Sequence, residues 1–310
     1  MPGLLQGTMP GILSFFSANL MNEFLQQLVS GIAVGCVYAL VALGFVLIYK
    51  ATDIVNFAHG EVMMVGAFLG LTFIEILKMP YWIGLLLAIA CMTVFGMLLN
   101  RFLLRPLAGQ GILAVIVVTL GLSILLRAFA SVIWGPETFT LQTPFYNRVV
   151  RVGEVVLSQE HVAIIVLTIV LVAALYVFFR YSRIGIAMQA TSENQLAAYY
   201  VGIPVQKVHS LIWALGAATA GVAGIMLAPI AFVQVNMGYV GLKAFPAAVL
   251  GGFGSIPGAI VGGVIIGVVE SMAVLYLPEG INNVAAYILL LLVLMVRPQG
   301  LFGIQSKRRV

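Results

Sequence analysis

Ionisable and amide side chains interrupt an apolar sequence at a few points where they could do chemistry. Asn56, His59 and Glu61 fall within six residues just before an apolar run, and Glu270 lies deep inside another. Such groups are costly at membrane depth, so they pair, face a cavity or stay protonated. We therefore predict that these four residues line or gate a translocation path. The alternative for the first three is that they cap a helix at the membrane interface.

Two basic residues also lie close to apolar runs. Arg127 is about seven residues from the end of its run, and Lys243 precedes a glycine-rich stretch. A long basic side chain near a span end reaches the membrane surface. We predict that both are outer-side anchors; for Arg127 the alternative is binding of a substrate carboxylate.

The sequence contains no recognisable enzymatic motif. The sequence has no G-x-x-x-x-G-K-[ST], so it carries no ATP-binding loop, and His59-Gly60-Glu61 does not have H-E-x-x-H spacing. Ser255 lies outside a G-x-S-x-G pattern. We predict no catalytic residue, metal site or cofactor in this chain, and an intramembrane enzyme is disfavoured. Cys36 and Cys91 fall inside apolar runs, which predicts buried packing residues.

Composition sets the class of protein that must position these groups. The 310 residues are 62% hydrophobic and 8% charged, with a mean hydropathy of +1.14. Repeated apolar runs near 20 residues predict an all-α polytopic membrane protein with about eight transmembrane helices, plus short broken or re-entrant helices. The net charge of +5 comes from basic residues at run ends, which indicates orientation in the bilayer and not nucleic-acid binding.

The apolar runs divide the chain into an N-terminal extension at 1–20, a membrane domain at 21–300 and a basic tail at 301–310. The predicted spans are 25–49, a run from the Asn56 segment to about 77, 81–99, 112–134, 161–179, 208–228, 258–277 and 284–296.

The apolar run from 243 to 277 is too long for one crossing of the membrane. Glycine and proline are concentrated inside it. We predict a short helix at 244–250, a break, and then a full span. Glycines at this break favour a bent backbone and close packing, with lining of a pathway as the second interpretation: they are Gly251, Gly252 and Gly254. Similar glycine-bearing stretches at 56–70 and 251–267 indicate possible inverted repeats.

The polar 180–207 segment is too long for a simple turn. Arg180 and Arg183 at the end of a span predict that it is cytoplasmic. Ser192 and Gln195 have capping-box spacing, which predicts a helix at about 193–200. Eight residues rise only about 12 Å, so this helix contacts a partner and does not cross the bilayer. With the extra passages at the two breaks, both termini are predicted to be cytoplasmic.

Three motifs in order carry a family resemblance. They are Asn-Phe-Ala-His-Gly-Glu at 56–61, Leu-Ala-Ala at 196–198 with Gly-Ile at 202–203, and Lys-Ala-Phe at 243–245 leading into the glycine-rich stretch to 259. From about Met21 to the last span, the chain resembles the H-type permease subunit of bacterial branched-chain amino-acid ABC importers.

The resemblance implies a complex in the bacterial inner membrane. Its partners would be a second homologous permease, two cytoplasmic ATPase subunits that bind ATP and Mg, and a periplasmic substrate-binding protein. Lys243 would then have a second possible role, as a contact for that binding protein. The alternatives are a permease for urea or short-chain amides, and a stand-alone secondary transporter.

The same resemblance assigns the short cytoplasmic helix as the coupling helix. Its contact residues would be Glu193, Asn194, Ala197, Ala198 and Gly202. The E-A-A-x-x-x-G pattern common in ABC permeases has leucine here, at position 196, in place of the leading acid. No salt bridge is therefore carried over to that position.

Overall fold

The computed structural model describes residues 9–107, 110–146, 148–152, 155–278 and 282–303. Its α-helices are α1 Met9–Thr52, α2 His59–Leu71, α3 Tyr81–Leu99, α4 Ile112–Trp134, α5 Gln159–Tyr181, α6 Arg183–Glu193, α7 Gln195–Tyr200, α8 Val205–Ala231, α9 Gly238–Leu242, α10 Ala244–Gly251, α11 Ile256–Tyr276 and α12 Asn282–Val296. Thr72–Ile76 and Asn100–Leu104 continue α2 and α3 as π-helical turns.

The all-α membrane architecture predicted from the apolar runs is confirmed. Among the described residues, seven helices are long and apolar enough to cross a membrane, and α12 adds a shorter apolar helix. In the most apolar stretch of α1 and of α8, 89% of the residues are buried, against 22% in α3, α4 and α5. The protein core therefore lies around α1 and α8, and the other three helices present most of their surface outward.

Helix α1 packs antiparallel against α11 through small residues. A Cβ on Gly31 would lie 2.8 Å from the Cβ of Ser271, and one on Gly35 would lie 2.8 Å from the Cα of Val264. The two glycines are four residues apart, the spacing that lets helix backbones approach closely in lipid.

The 180–207 segment identifies one face of the molecule. Gln195 Nε2 donates to the Ala51 carbonyl oxygen at 2.9 Å, so α1 ends beside α7. Lys50, Ser192 and Ile256 surround one small cavity, so α11 begins on this face too. Because α1 and α11 are antiparallel, the span of α1 starts at Met21 near the opposite face.

Both predicted breaks are present. The chain leaves helical geometry between α1 and α2, and again between α10 and α11, where Gly252 has a φ of +100°. That left-handed conformation favours glycine because it has no Cβ. The predicted helix at 244–250 followed by a break is therefore confirmed.

Some local predictions were wrong. The 180–207 segment holds two helices, α6 and α7, and Asn194 caps the second by accepting from Ala197 N at 2.9 Å. Ser192 lies inside α6 and so is not the cap. Cys91 is exposed on the outside of α3, although Cys36 is buried as predicted.

Outside the spans, the structure adds an element that the all-helical prediction lacked. Strands β1 (Val149–Val152) and β2 (Val155–Ser158) form an antiparallel hairpin before α5. At the N-terminus, α1 is helical from Met9. Residues 1–8 of the predicted extension and 304–310 of the predicted tail lie outside the described residues.

Candidate functional site

The segment before α2 turns the chain inside the protein. Asn56 Oδ1 accepts a hydrogen bond from Ala58 N at 3.1 Å, which fixes the turn that starts the helix. Asn56, His59 and Glu61 are 1%, 1% and 0% exposed. The three side chains are therefore enclosed by the protein, and their role in lining or gating a path stays a prediction.

His59 shows how deep this turn lies. Its ring packs on Phe45 with centroids 4.6 Å apart and fills the space beside Gly44. Gly44 is eight residues before the end of α1 at Thr52. At 1.5 Å per residue, His59 lies roughly 12 Å along α1 from that end, so α2 begins well inside the helix bundle.

Glu61 and Arg127 form an ion pair between α2 and α4. Arg127 Nη2 donates to Glu61 Oε1 at 2.5 Å, and Nη1 donates to the Tyr239 hydroxyl at 2.5 Å. The guanidinium also lies 4.1 Å from the Tyr239 ring centroid. Arg127 is therefore a charge partner inside the protein, and the prediction of an outer anchor was wrong.

Lys243 and Glu270 form a second ion pair, between the start of α10 and α11. Lys243 Nζ donates to Glu270 Oε1, and the Tyr38 hydroxyl of α1 donates to Glu270 Oε2 at 2.7 Å. Glu270 thus pairs, as its position in a span predicts, while Lys243 is not a simple surface anchor.

Both ion pairs hold the α9–α10 segment (residues 238–251). Tyr239 bonds to the first pair and Lys243 belongs to the second. Phe245 of the same segment contacts Phe45 and Phe57, with ring centroids 5.9 and 5.8 Å apart. The structure thereby brings Glu270 and the sequence-distant pair of neighbours His59 and Glu61 to one short discontinuous helix.

The glycines of the second break serve close contacts. A Cβ on Gly251 would overlap the Gly258 carbonyl oxygen, and one on Gly252 would lie 2.8 Å from Gly303 N. Gly254 has open space around it. These positions agree with bending and packing at Gly251 and Gly252, while lining of a pathway stays a prediction.

The predicted coupling residues lie at one exposed corner. Glu193 ends α6, Asn194 caps α7, Ala197 is exposed and Ala198 is buried, and Gly202 follows with a φ of +86°. The sequence reasoning did not single out the large side chains of α7. Leu196, Tyr199 and Tyr200 are 70%, 68% and 82% exposed.

Several site residues were missed or misassigned at the sequence level. Tyr38 and Tyr239 carry no signal, because tyrosine is common in spans. Arg127 did carry one: it and Glu61 are opposite charges inside two apolar runs, and such charges pair. The spacing of Leu196, Tyr199 and Tyr200 on one face of a short helix was also readable as an apolar contact surface.

Comparisons with known proteins cover nearly the whole chain. Residues 27–296 match the family described as branched-chain amino acid transport system / permease component. The high-affinity branched-chain amino acid transport system permease protein LivH of Escherichia coli (strain K12) is 35% identical over 90% of this chain and 96% of its own length. The permease protein BraD of Pseudomonas aeruginosa is 34% identical over 91% and 96%. The solved structure of PsaBC from Streptococcus pneumoniae in complex with Fab aligns over 91% of each chain at 17% identity, with a TM-score of 0.45.

Proposed function

The chain belongs to the family of permease components of branched-chain amino acid transport systems, and we propose that it forms part of the membrane pathway of an ATP-driven importer for these amino acids. The match spans residues 27–296, and the seven apolar helices make it a multi-pass membrane protein. Its role is that of a transport subunit. The proposed complex adds a second permease, two ATPase subunits that bind ATP and Mg, and a binding protein.

The exposed surface of α7 is the observation that carries the coupling part of the proposal. This six-residue helix presents Leu196, Tyr199 and Tyr200 together on its exposed side. Large apolar side chains exposed together mark a protein contact. We assign the partner as an ATPase subunit, with Glu193, Asn194, Ala197, Ala198 and Gly202 shaping the contact.

The orientation follows from the same assignment. If α7 contacts a cytoplasmic ATPase, the face that contains Ala51, Gly252 and Ile256 is the cytoplasmic face of the inner membrane. The span of α1 then begins at the outer face, because α1 crosses once between Met21 and Thr52. Of the two termini predicted to be cytoplasmic, this proposal retains only the C-terminus.

The α9–α10 segment is the proposed gate. It is discontinuous, lies beside the broken start of α2 and is held by two ion pairs. Discontinuous helices near the middle of a membrane characterise transport sites, because their helix ends and unwound backbone face the substrate and its coupling ions. Asn56, His59, Glu61 and Glu270 would hold this gate, and Gly251, Gly252 and Gly254 would let it bend.

Uptake and complex assembly test the proposal together. We expect a strain that lacks this subunit to lose uptake of labelled leucine, and unlabelled leucine, but not urea, to compete in the parent strain. Competition by urea alone would instead favour the amide-importer alternative.

A double variant, Leu196→Glu with Tyr199→Glu, tests the α7 contact. We expect the ATPase subunits to be lost on co-purification and uptake to fall at least about tenfold, because two carboxylates replace the apolar contact. Tyr146→Glu is the matched control, since Tyr146 is 41% exposed at the opposite face. Retention of the ATPases by the double variant would refute the contact, and transport by this chain alone would refute the ATP-driven mechanism.

A further inference from the structure

A cavity separate from the two ion pairs opens on the face that carries α7. Its volume is about 710 Å³, and it lies between the end of α1, the π-helical end of α3, the start of α4 and the start of α8. Gln195, the first residue of α7, forms part of its wall. The cavity therefore adjoins the helix proposed to contact the ATPase.

Charged groups of opposite sign line this cavity. Asp53 and Arg105 both face it and both are exposed. Among the described residues, neither one takes part in an ion pair. Two unpaired opposite charges in one cavity suit a ligand that carries both a cationic and an anionic group, because each charge then gains a partner.

Polar and apolar groups divide the rest of the wall. The buried Nε2 of His209 has no hydrogen-bond partner among the described residues, although His209 lines the cavity. Val55, Phe57, Ile112 and Ile116 supply an apolar side. Nine of the sixteen lining residues are polar or charged and seven are apolar. A wall with a polar side and an apolar side suits a small ligand with one polar end and one hydrocarbon end.

We infer that this cavity is a binding site for a free aliphatic amino acid taken from the cytoplasmic side. Arg105 receives the α-carboxylate, since a guanidinium matches a carboxylate with two hydrogen bonds. Asp53 receives the α-ammonium group, and the apolar wall covers the side chain. The inference rests on the proposed function for its substrate class and for its sidedness.

The site is linked to α7 by a direct contact. Gln195 lines the cavity and donates through Nε2 to the Ala51 carbonyl oxygen at 2.9 Å. Asp53 follows two residues later, where α1 ends with Asp53 N donating to Tyr49 O at 2.8 Å. An amino acid held by Asp53 therefore acts on the residues that position the first turn of α7. Accumulated substrate would in this way affect the ATPase contact.

Binding to the complex of permeases and ATPases, purified without the binding protein, tests the inference. Equilibrium dialysis with labelled leucine is expected to show saturable binding. Leucinamide, which lacks the carboxylate, and 4-methylpentanoate, which lacks the ammonium group, are expected to compete at least about tenfold less well. Equal competition by either analogue would overturn the assignment without any mutation.

Variants then locate the site in this chain. Arg105→Gln and Asp53→Asn are each expected to weaken leucine binding by about tenfold or more. Arg101→Gln is the matched control, because Arg101 is exposed one turn earlier and does not line the cavity. Binding that neither Arg105→Gln nor Asp53→Asn weakens would overturn the inference.

The outcome is separable from that of the proposed function. Normal leucine uptake by the full system, together with no saturable binding in the absence of the binding protein, overturns this site and leaves the importer role intact. If unlabelled leucine does not compete with labelled leucine for uptake in the parent strain, the importer role itself is overturned.

Discussion

The two ion pairs differ in what the α9–α10 segment contributes to each. Toward α2 and α4, Glu61 and Arg127 pair with each other, and the segment adds only the neutral Tyr239. Glu61 Oε2 and Arg127 Nε have no hydrogen-bond partner among the described residues. Toward α11, the segment supplies the cation itself, Lys243, to Glu270. Moving the segment away from α4 would break one hydrogen bond and one cation–π contact. Moving it away from α11 would separate two charges at low dielectric, which costs more. The segment is therefore held more firmly on its α11 side.

Burial distinguishes the two pairs as well. The side chains of Glu61 and Glu270 are 0% and 12% exposed. Glu270 also keeps the Tyr38 hydroxyl as a second donor. An unpaired Glu61 would thus be more costly than an unpaired Glu270, and this difference orders the expected effects of substitution.

The largest effect is expected for Arg127→Met. It leaves the wholly buried Glu61 without a charge partner, which lowers the free energy of unfolding by about 3–5 kcal/mol. Unfolding in mixed micelles measures it, with Arg101→Met as the control, because Arg101 forms no ion pair with another described residue. The double variant Glu61→Gln with Arg127→Met should recover most of the loss. Full stability of Arg127→Met alone would contradict a stabilising role for this ion pair.

Lys243→Met should lower the free energy of unfolding by less, about 2–3 kcal/mol, because Tyr38 still donates to the partly exposed Glu270. The same unfolding measurement compares it with Lys78→Met. Lys78 pairs with Glu75 at 3.4 Å, but its side chain is 78% exposed, so its loss should cost less than about 1 kcal/mol. Equal effects of the two lysine variants would remove the distinction between a buried pair and a surface pair.

The smallest effects on the free energy of unfolding are expected for removing the hydroxyl of Tyr38 or of Tyr239. Tyr38→Phe removes a hydrogen bond to the partly exposed carboxylate of Glu270 and should cost about 1.5 kcal/mol. Tyr239→Phe keeps its ring beside Arg127 at a 53% exposed position and should cost less than about 1 kcal/mol. If the segment parts from α4 during transport, Tyr239→Phe should change the uptake rate more than it changes stability. An unchanged uptake rate in Tyr239→Phe would contradict that motion.

Charged residues illustrate why the site could be predicted only in part. Glu270 was recognisable because one acid inside an apolar run must find a partner. Which partner it finds depends on α10 folding back against α11, where Gly251 and Gly258 touch. Arg127 was misassigned because distance along one helix suggested an anchor, whereas the packing of α2 on α4 places Glu61 beside it.

The sequence by itself determined the membrane class, the approximate spans, the break before α11 and the family. Each of these follows from local composition or from a contiguous motif. Only the tertiary structure decided that the α9–α10 segment joins two ion pairs, that Asn56 and His59 are buried, and that Asp53 and Arg105 share a cavity. Those pairings join residues far apart in the chain, and they depend on which helix faces meet. Apolar sequence alone does not specify those faces, because most surfaces of a membrane helix are similarly hydrophobic.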